Sequence, residues 1–567
     1  MIHGYSAAAV RAAEQPLLAA GEPLMLRAAA ALATHAAERL RASGSPSADG
    51  PVDGTTTSTP ATSTPTTDPA IARVLVLAGA GANGGDGLHA AAILRREHGI
   101  PADAIATASS VHDEGAEALR DAGGTIHPSA DLPEEQLRDL LADAELVLDA
   151  ILGIGGRPEV PGALRPLLAA VRESGVPVLA VDLPSFVDAT TGEAALETLP
   201  AAATVTFGAV KAGLLLPGGA ELAGDLHLVD IGLGPYLDGF AANGAAADAP
   251  DAEAPGAADA SATATAADDR APHVLRLEDA DVRALFPVPG RDDSKYTRGV
   301  LAIAAGSEQF PGAAVLAVSG AARAGAGMIR CLAPREVLDL VLRVRPEAVV
   351  HPVGPGRSTQ RILDDQTLAR TSAVVVGPGL PGDDPRALRG VAMLAGEGTG
   401  PRRGVIDAGA LQAVTAAHRF GPDTVLTPHR GEAERLARRL EVDPDLPGPE
   451  LARALAAATG ATVLLKGAIT LVAPGNGGAL RTQDDATSYL ATAGTGDVLA
   501  GILGTLLAAG LPGPDAAALA ALLHGRAGRL ASGGGSHPLV ALEVADRLPE
   551  TIGTILATAQ DLTRGAR

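Results

Sequence analysis

Thr492 to Leu503 reads TAGTGDVLAGIL. A Gly-Thr-Gly-Asp turn ahead of an apolar, helix-compatible run presents several backbone N–H groups at a helix N-terminus, where the dipole also favours negative charge. Gly494 and Gly496 are expected to let the backbone approach a phosphate closely and to take positive φ without strain. Asp497 stands at the same end as a carboxylate. An anion hole with an adjacent base suits moving a phosphoryl group onto, or off, a hydroxyl. A phosphorylated nucleotide is the expected ligand.

A second glycine-rich stretch, GAGANGGDG from Gly79 to Gly87, follows an apolar run at Val74–Leu77 and precedes a helical run over Leu88–His98. Its Gly-x-Gly-x-x-Gly core fits many turns that bind nothing. The continuation Asn83-Gly-Gly-Asp-Gly87 is more specific, because it sets an amide and a carboxylate on what reads as a phosphate-cradling turn. DAILGIGG from Asp149, DLPSFVD from Asp182 and TFGAVKAGL from Thr206 each end an apolar run in polar groups. Singly, Asp149 or Asp182 could be a strand-end cap, and Lys211 a solvated lysine. Four such segments in order point to a site.

The elements that must hold these residues alternate. VLVLAG, ELVLDAIL, VPVLAVDLP and ATVTFG in the first half read as buried strands, as do RGVLAIAAGS, SAVVVGPGL, GVIDAGAL, TVLTPHRG and TVLLKGAIT in the second. Ala/Leu-rich amphipathic runs separate them. Continuous apolar strands divided by helices imply parallel sheets covered on both faces, with ligands at the carboxyl ends of the strands. Two α/β domains are therefore expected, residues 1–240 and 273–567. A Ser/Thr/Pro/Gly-rich insertion at about 43–69 and an acidic Ala/Pro-rich linker at 241–272 lack the apolar surface to order themselves.

The chain has 567 residues, enough for two well-buried cores, and with no Trp these must be built from Ala, Val and Leu. A net charge of −22 argues against a nucleic-acid partner. One cysteine, Cys331, permits no internal disulfide and fits a reducing compartment. No signal-peptide layout or uninterrupted membrane-length apolar run is evident, so a cytoplasmic location without a membrane partner is expected.

The first-half motifs resemble the NAD(P)H-hydrate epimerase domain over about residues 1–237, a Rossmann-like three-layer α/β fold. That resemblance implies a potassium ion on Asn83, Asp149 and Ser185. It also implies that Ala82, Asn83, Gly84, Gly85 and Asp86 line a hydrated nicotinamide nucleotide, together with Gly153, Ile154, Gly155, Gly156, Arg157, Pro158, Glu159 and Asp182. Oxygen ligands suit a hard alkali cation. The family usually has Asn, Thr and Gly where this chain has Ala82, Ile154 and Phe186.

In the second half, KYTRGVLAIAAGS, FPGAAVL, VVVGPGL, VIDAGAL, VLTPHRGEAERL, VLLKGAIT and the Gly-Thr-Gly-Asp turn occur in that order. They resemble the ribokinase-like ADP/ATP-dependent NAD(P)H-hydrate dehydratase domain over about 273–567. The resemblance implies that Ala314, Gly379, His429 and Asp497 contact the hydrated dinucleotide. Lys466, Gly467, Ala468, Ile469 and Thr470, with Gly496, would hold the adenine nucleotide. The family often has Asp-Ala-Asp-Ala-Leu where this chain reads Asp407-Ala-Gly-Ala-Leu411.

Together the two resemblances imply a repair reaction. The hydrated ring carries a hydroxyl on the carbon bonded to ring nitrogen, and that hemiaminal centre can invert with acid/base help from Asp182 or Asp86. ADP-dependent phosphorylation of the hydroxyl, with Asp497 as base and Mg2+ on the nucleotide phosphates, would convert it into a leaving group. The products would be NAD(P)H, AMP and phosphate. A homo-oligomer is expected. The competing readings are a ribokinase-like small-molecule kinase with an accessory N-terminal domain, and a non-enzymatic N-terminal domain that serves as a nucleotide-sensing or partner-binding module.

Overall fold

The computed structural model describes residues 1–43, 72–238, 271–353, 371–397 and 400–564. The insertion expected at 43–69 and the linker expected at 241–272 lie almost wholly outside the described residues. The chain divides into two compact units that meet in sequence at Pro272 and His273.

In the N-terminal unit a short strand β1 (Ile2–Tyr5) leads into helices Ala7–Ala19 and Leu24–Ser43. Then come β2 (Val74–Ala78), β3 (Ala102–Ala106), β4 (Ile126–Pro128), β5 (Leu146–Ala150), β6 (Val178–Val181), β7 (Ala203–Phe207), β8 (Val210–Lys211) and β9 (Asp225–Val229). Seven of them form one sheet in the order β4-β3-β2-β5-β6-β7-β9, and every pairing in it is parallel. The reversal of order falls between β2 and β5, a topological switch point of the kind that opens a crevice at the carboxyl ends of strands. β2, β5, β6 and β7 are buried throughout, and they are the runs that read as continuous apolar segments.

One local expectation changes. The segment read as a phosphate-cradling turn at Asn83–Gly87 is already helical, because the helix runs from Ala82 to Glu97. A Cβ on Gly84 would stand 2.0 Å from the Gly79 carbonyl oxygen, and one on Gly87 would stand 2.6 Å from the Ala150 Cβ. These glycines let the helix begin against the strand ends after a connection of only Gly79–Gly81.

The C-terminal unit contains β10 (Val274–Arg276), β11 (Val300–Ala304), β12 (Met328–Ala333), β13 (Val349–Pro352) and β14 (Ala373–Val376). It continues with β15 (Gly404–Ile406), β16 (Thr424–Leu426), β17 (Thr462–Leu465), β18 (Thr470–Ala473) and β19 (Leu480–Gln483). Their order is β13-β12-β11-β14-β15-β16-β17-β18-β19-β10. The pairings from β13 to β17 are parallel, as expected. β17-β18 and β18-β19 are antiparallel, so the sheet is mixed. The physical reason is connection length: four residues, Lys466–Ile469, join β17 to β18, which suffices for a hairpin but not for a parallel crossover.

Helix Thr495–Ala508 is the spine of this unit, buried from Val498 to Ala508 between the sheet and helices Gly312–Arg323 and Gly513–Ala531. Its small residues permit the close approach: a Cβ on Gly501 would lie 2.1 Å from the Ala317 carbonyl oxygen. Replacing Gly501 by Ala is therefore expected to destabilise this unit by about 1–3 kcal/mol, the usual cost of overpacking. Chemical denaturation with a probe in the C-terminal unit checks this, and an unchanged midpoint would contradict the packing described.

Candidate functional sites

In the N-terminal unit the strand ends bring the first set of residues together. Asp149 closes β5 and is 1% exposed. The Ser185 hydroxyl donates to its Oδ1 at 2.6 Å, and the Ser185 backbone N–H donates to its Oδ2 at 2.9 Å. Burial pushes the Asp149 carboxyl up, and these hydrogen bonds pull the other way. Ser185 Oγ also accepts from the Leu152 N–H at 2.9 Å. Asn83 packs beside Gly153, whose Cβ position lies 3.1 Å from Asn83 Oδ1, and the Asn83 amide nitrogen is buried with no hydrogen-bond partner. Among the described residues no lysine or arginine pairs with Asp149. The Asp149 carboxylate, the Asn83 side-chain carbonyl and the Ser185 hydroxyl are hard oxygens of the kind that suits a monovalent cation, whereas the unpartnered Asn83 atom is the amide nitrogen, a donor that ligates no cation.

Beside it lies a titrating cluster. Asp182 follows β6 in the left-handed region, with φ of 69°, and accepts from the Lys211 ammonium and from the Phe207 N–H at 3.2 Å. Lys211 is 1% exposed, so it is not the solvated lysine that the sequence allowed. Its ammonium also donates to Thr206 Oγ1 and the Phe207 carbonyl, which makes a buried charge tolerable. Asp86, one helical turn from Asn83, is pushed up to about 8 by burial and by repulsion from Asp182 and Glu14, with Lys211 opposing. Two neighbouring carboxyl groups are thus held in different surroundings, Asp182 paired with a cation and Asp86 protonated at neutral pH.

Phe186 has φ of 70°, a conformation that costs a bulky residue strain. Its ring is buried in the core cluster with Ile151, Leu164 and Leu199, so packing holds what the backbone disfavours.

Helix Ala7–Ala19 supplies residues that motif reading missed. Arg11 donates to the Ile154 carbonyl at 3.0 Å, and Glu14 is raised by burial and interacts with Lys211, Asp182 and Arg11. Nothing in the pattern of an Ala-rich helix about 70 residues from the first glycine motif marks them. The loop Gly153–Glu159 follows β5 with Arg157 and Glu159 exposed.

In the C-terminal unit the carboxyl ends of β15, β16 and β17 carry the site. Asp407, after β15, is 2% exposed and accepts from Thr427 Oγ1 at 2.8 Å and from Lys466 Nζ at 3.0 Å. Glu432 lies 3.8 Å from the same ammonium. Burial alone would lower Lys466, but Asp407, Glu432 and Asp497 together hold it above its ordinary value. His429 caps helix Arg430–Arg439, its Nδ1 accepting from the Gly431 N–H while Glu432 accepts from the His429 N–H. This is a capping box. The His429 side chain remains 56% exposed, free to meet a ligand.

Gly494 is the N-cap of helix Thr495–Ala508 at φ 88°. Gly496 does not share that conformation: it is the second residue of the helix, and its role is to leave the Lys466 ammonium 3.5 Å from its Cβ position. Asp497 sits in the first turn and is pushed up to about 7 by burial and by repulsion from Asp407, with Lys466 opposing. Gly467, Ala468 and Ile469 form the β17-β18 hairpin, and Thr470 opens β18. Gly379 adopts φ 65° beside Ala313, while Ala314 is fully buried.

At Gly409, where the resembled family often has Asp, a Cβ would lie 1.7 Å from the Leu380 carbonyl oxygen. In this chain the position is closed to any side chain. His524 is a further residue that no motif marked: buried, hydrogen-bonded to the Thr495 backbone and driven down to about 4 by burial, with Lys466 adding to the effect. It is a neutral ring behind the anion-binding turn. Among the described residues no group of three or more His, Cys, Asp or Glu could hold a metal ion. Nor is any single helix there long and apolar enough to cross a membrane.

Comparison with known proteins agrees in both halves. Residues 21–213 match a family model described as "YjeF-related protein N-terminus", and residues 301–549 match one described as "NAD(P)H-hydrate dehydratase". A Mycobacterium leprae protein described as a bifunctional NAD(P)H-hydrate repair enzyme is 38% identical over 94% of both chains. A Mycobacterium tuberculosis protein of the same description is 36% identical over 91% of this chain and 92% of its own. Among solved structures, the ADP/ATP-dependent NAD(P)H-hydrate dehydratase from Bacillus subtilis, co-crystallised with ATP and Mg2+, is 30% identical. It covers 50% of this chain and 99% of its own, with a TM-score of 0.44.

Substituting Lys211 by Met leaves Asp182 buried without its cation and is expected to cost about 3–5 kcal/mol. The double variant Lys211→Met with Asp182→Asn should recover a large part of that loss. Equilibrium denaturation of the three proteins checks the pair, and equal stability of single and double variants would refute the coupling.

Proposed function

The chain belongs to the family of bifunctional NAD(P)H-hydrate repair enzymes, and on that premise we propose a two-step repair of hydrated NADH and NADPH. The N-terminal unit interconverts the R and S hydrates. The C-terminal unit dehydrates the S form at the expense of ADP, yielding NAD(P)H, AMP and phosphate. The observation that carries this reading is Asp497: a carboxylate poised near neutrality in the first turn of an anion-binding helix, with Lys466 alongside.

Epimerisation needs only proton movement. Asp182, paired with the Lys211 ammonium, takes the hydroxyl proton as the ring carbon–nitrogen bond breaks and the hydroxyl carbon becomes an aldehyde, and it returns that proton to the oxygen when the nitrogen re-adds. Asp86, protonated at neutral pH, donates to the departing atom and takes the proton back on closure from the other face. A potassium ion would be held by Asn83, Asp149 and Ser185, supplying the positive charge that the buried Asp149 carboxylate lacks.

Dehydration faces a poor leaving group, hydroxide. Asp497 accepts the proton of the substrate hydroxyl as its oxygen bonds to the β-phosphorus of ADP and the bond to AMP breaks. The amides that open helix Thr495–Ala508 and the Lys466 ammonium stabilise charge on the moving phosphoryl group. The ring nitrogen lone pair then expels phosphate, and loss of a proton from the adjacent ring carbon restores the double bond. Magnesium, carried on the nucleotide phosphates and water, would neutralise phosphate charge. Joining the two activities in one chain leaves neither epimer stranded.

Asp497→Asn is expected to lower dehydration by about a hundred- to ten-thousand-fold while ADP still binds. Near-normal turnover would remove it as the base. Because Asp497 is ionised only above about 7, wild-type dehydration should rise with pH through that value and flatten beyond it. Epimerisation should fall as pH passes about 8, where Asp86 loses its proton. Supplying both epimers of hydrated NADH with ADP and Mg2+, and measuring nicotinamide absorbance and free phosphate, tests the whole reading. Complete recovery with stoichiometric phosphate is expected, whereas a stable phosphorylated product would indicate a small-molecule kinase.

A further inference from the structure

The N-terminal site has a charge problem. Its substrate carries a pyrophosphate, and in the NADPH form a further phosphate. The acidic groups gathered there are Asp149, Asp182, Asp86 and Glu14, and the buried lysine beside them, Lys211, is consumed by Asp182, Thr206 and the Phe207 carbonyl. Yet the loop Gly153–Glu159 borders a second cation. Arg11 sits on helix Ala7–Ala19, whose start is anchored where Thr190 Oγ1 accepts from the Ala7 N–H at 3.0 Å. One Arg11 nitrogen, Nη2, donates to the Ile154 carbonyl at 3.0 Å and lies 3.6 Å from the Cβ position of Gly155. The side chain is otherwise exposed, and a guanidinium has five N–H donors in a planar fork matched to phosphate.

Three residues on, Glu14 interacts with Lys211 and Asp182, so the same helix face reaches both the binding loop and the acid/base cluster. A helix that supplies both is a wall of the site. Resting on the epimerase reading above, we propose that Arg11 binds a phosphate of the hydrated dinucleotide, its bond to Ile154 setting the guanidinium at the lip of the loop. Arg157, exposed on the same loop, is the nearest cation in sequence but is carried by the loop itself, whereas Arg11 is carried by a helix.

The test uses the full-length protein and compares wild type, Arg11→Met and Arg11→Lys for epimerisation of NADH hydrate and of NADPH hydrate. Dehydration of the S hydrate by the same preparations serves as the internal control. Arg11→Met should raise KM for epimerisation by about 10- to 100-fold, the worth of a charged hydrogen bond, with kcat within a few-fold and dehydration unchanged. Arg11→Lys should recover part of the loss. Wild-type KM should rise with ionic strength, and that dependence should flatten in Arg11→Met, which a loop-bracing role alone would not produce. Equal losses on both substrates place Arg11 on the pyrophosphate, and a loss confined to NADPH hydrate places it on the additional phosphate. Unchanged KM on both, or a fall in kcat with KM intact, would overturn the proposal. Absence of epimerisation in wild type would instead overturn the reading it rests on.

Discussion

Each unit is organised around one lysine placed among more carboxylates than it can neutralise. Lys211 faces Asp182, Asp86 and Glu14, and Lys466 faces Asp407, Glu432 and Asp497. In both, one carboxylate takes the cation by direct contact, and another is raised towards neutrality, by burial first and by repulsion from the paired carboxylate second.

Such clusters survive only where the backbone prevents them from relaxing. In the C-terminal unit, helix Thr495–Ala508 is wedged against its neighbours by residues too small to keep them apart, so the N–H groups at its start cannot drift from Lys466. His524 reinforces this from behind as a neutral ring, because burial denies it a proton. In the N-terminal unit the burden falls on the loop from Asp182 to Phe186, which carries two non-glycine residues at positive φ. Burial of the Phe186 ring offsets the strain, and the result is a Ser185 held by two bonds to Asp149.

The strands were legible, because buried parallel strands are written as unbroken Val/Leu/Ala runs, and so were the polar residues at their ends. Helix boundaries were less so. The Asn83–Gly87 segment reads as a turn because glycine is rare inside helices, yet here glycine is the only residue that clears the strand ends. The antiparallel β17-β18 hairpin was hidden for a different reason: Lys466–Thr470 signals a ligand loop, and nothing in it states the direction of the next strand. His429 and Glu432 stand three apart at a helix start, so their mutual capping could have been read directly.

The sequence by itself determined which kinds of residue lie at the strand ends, and with them the family and the chemistry available: an anion-binding helix start, carboxylates for proton transfer, and oxygen ligands for a cation. Only the tertiary structure decided which carboxylate is paired with a cation and which is raised towards neutrality, since that depends on burial and on distance to a lysine remote in the chain. It alone recruited Arg11, Glu14 and His524, whose positions carry no motif. Side-chain type is local information, whereas desolvation and Coulomb interaction depend on what the fold brings within a few ångströms.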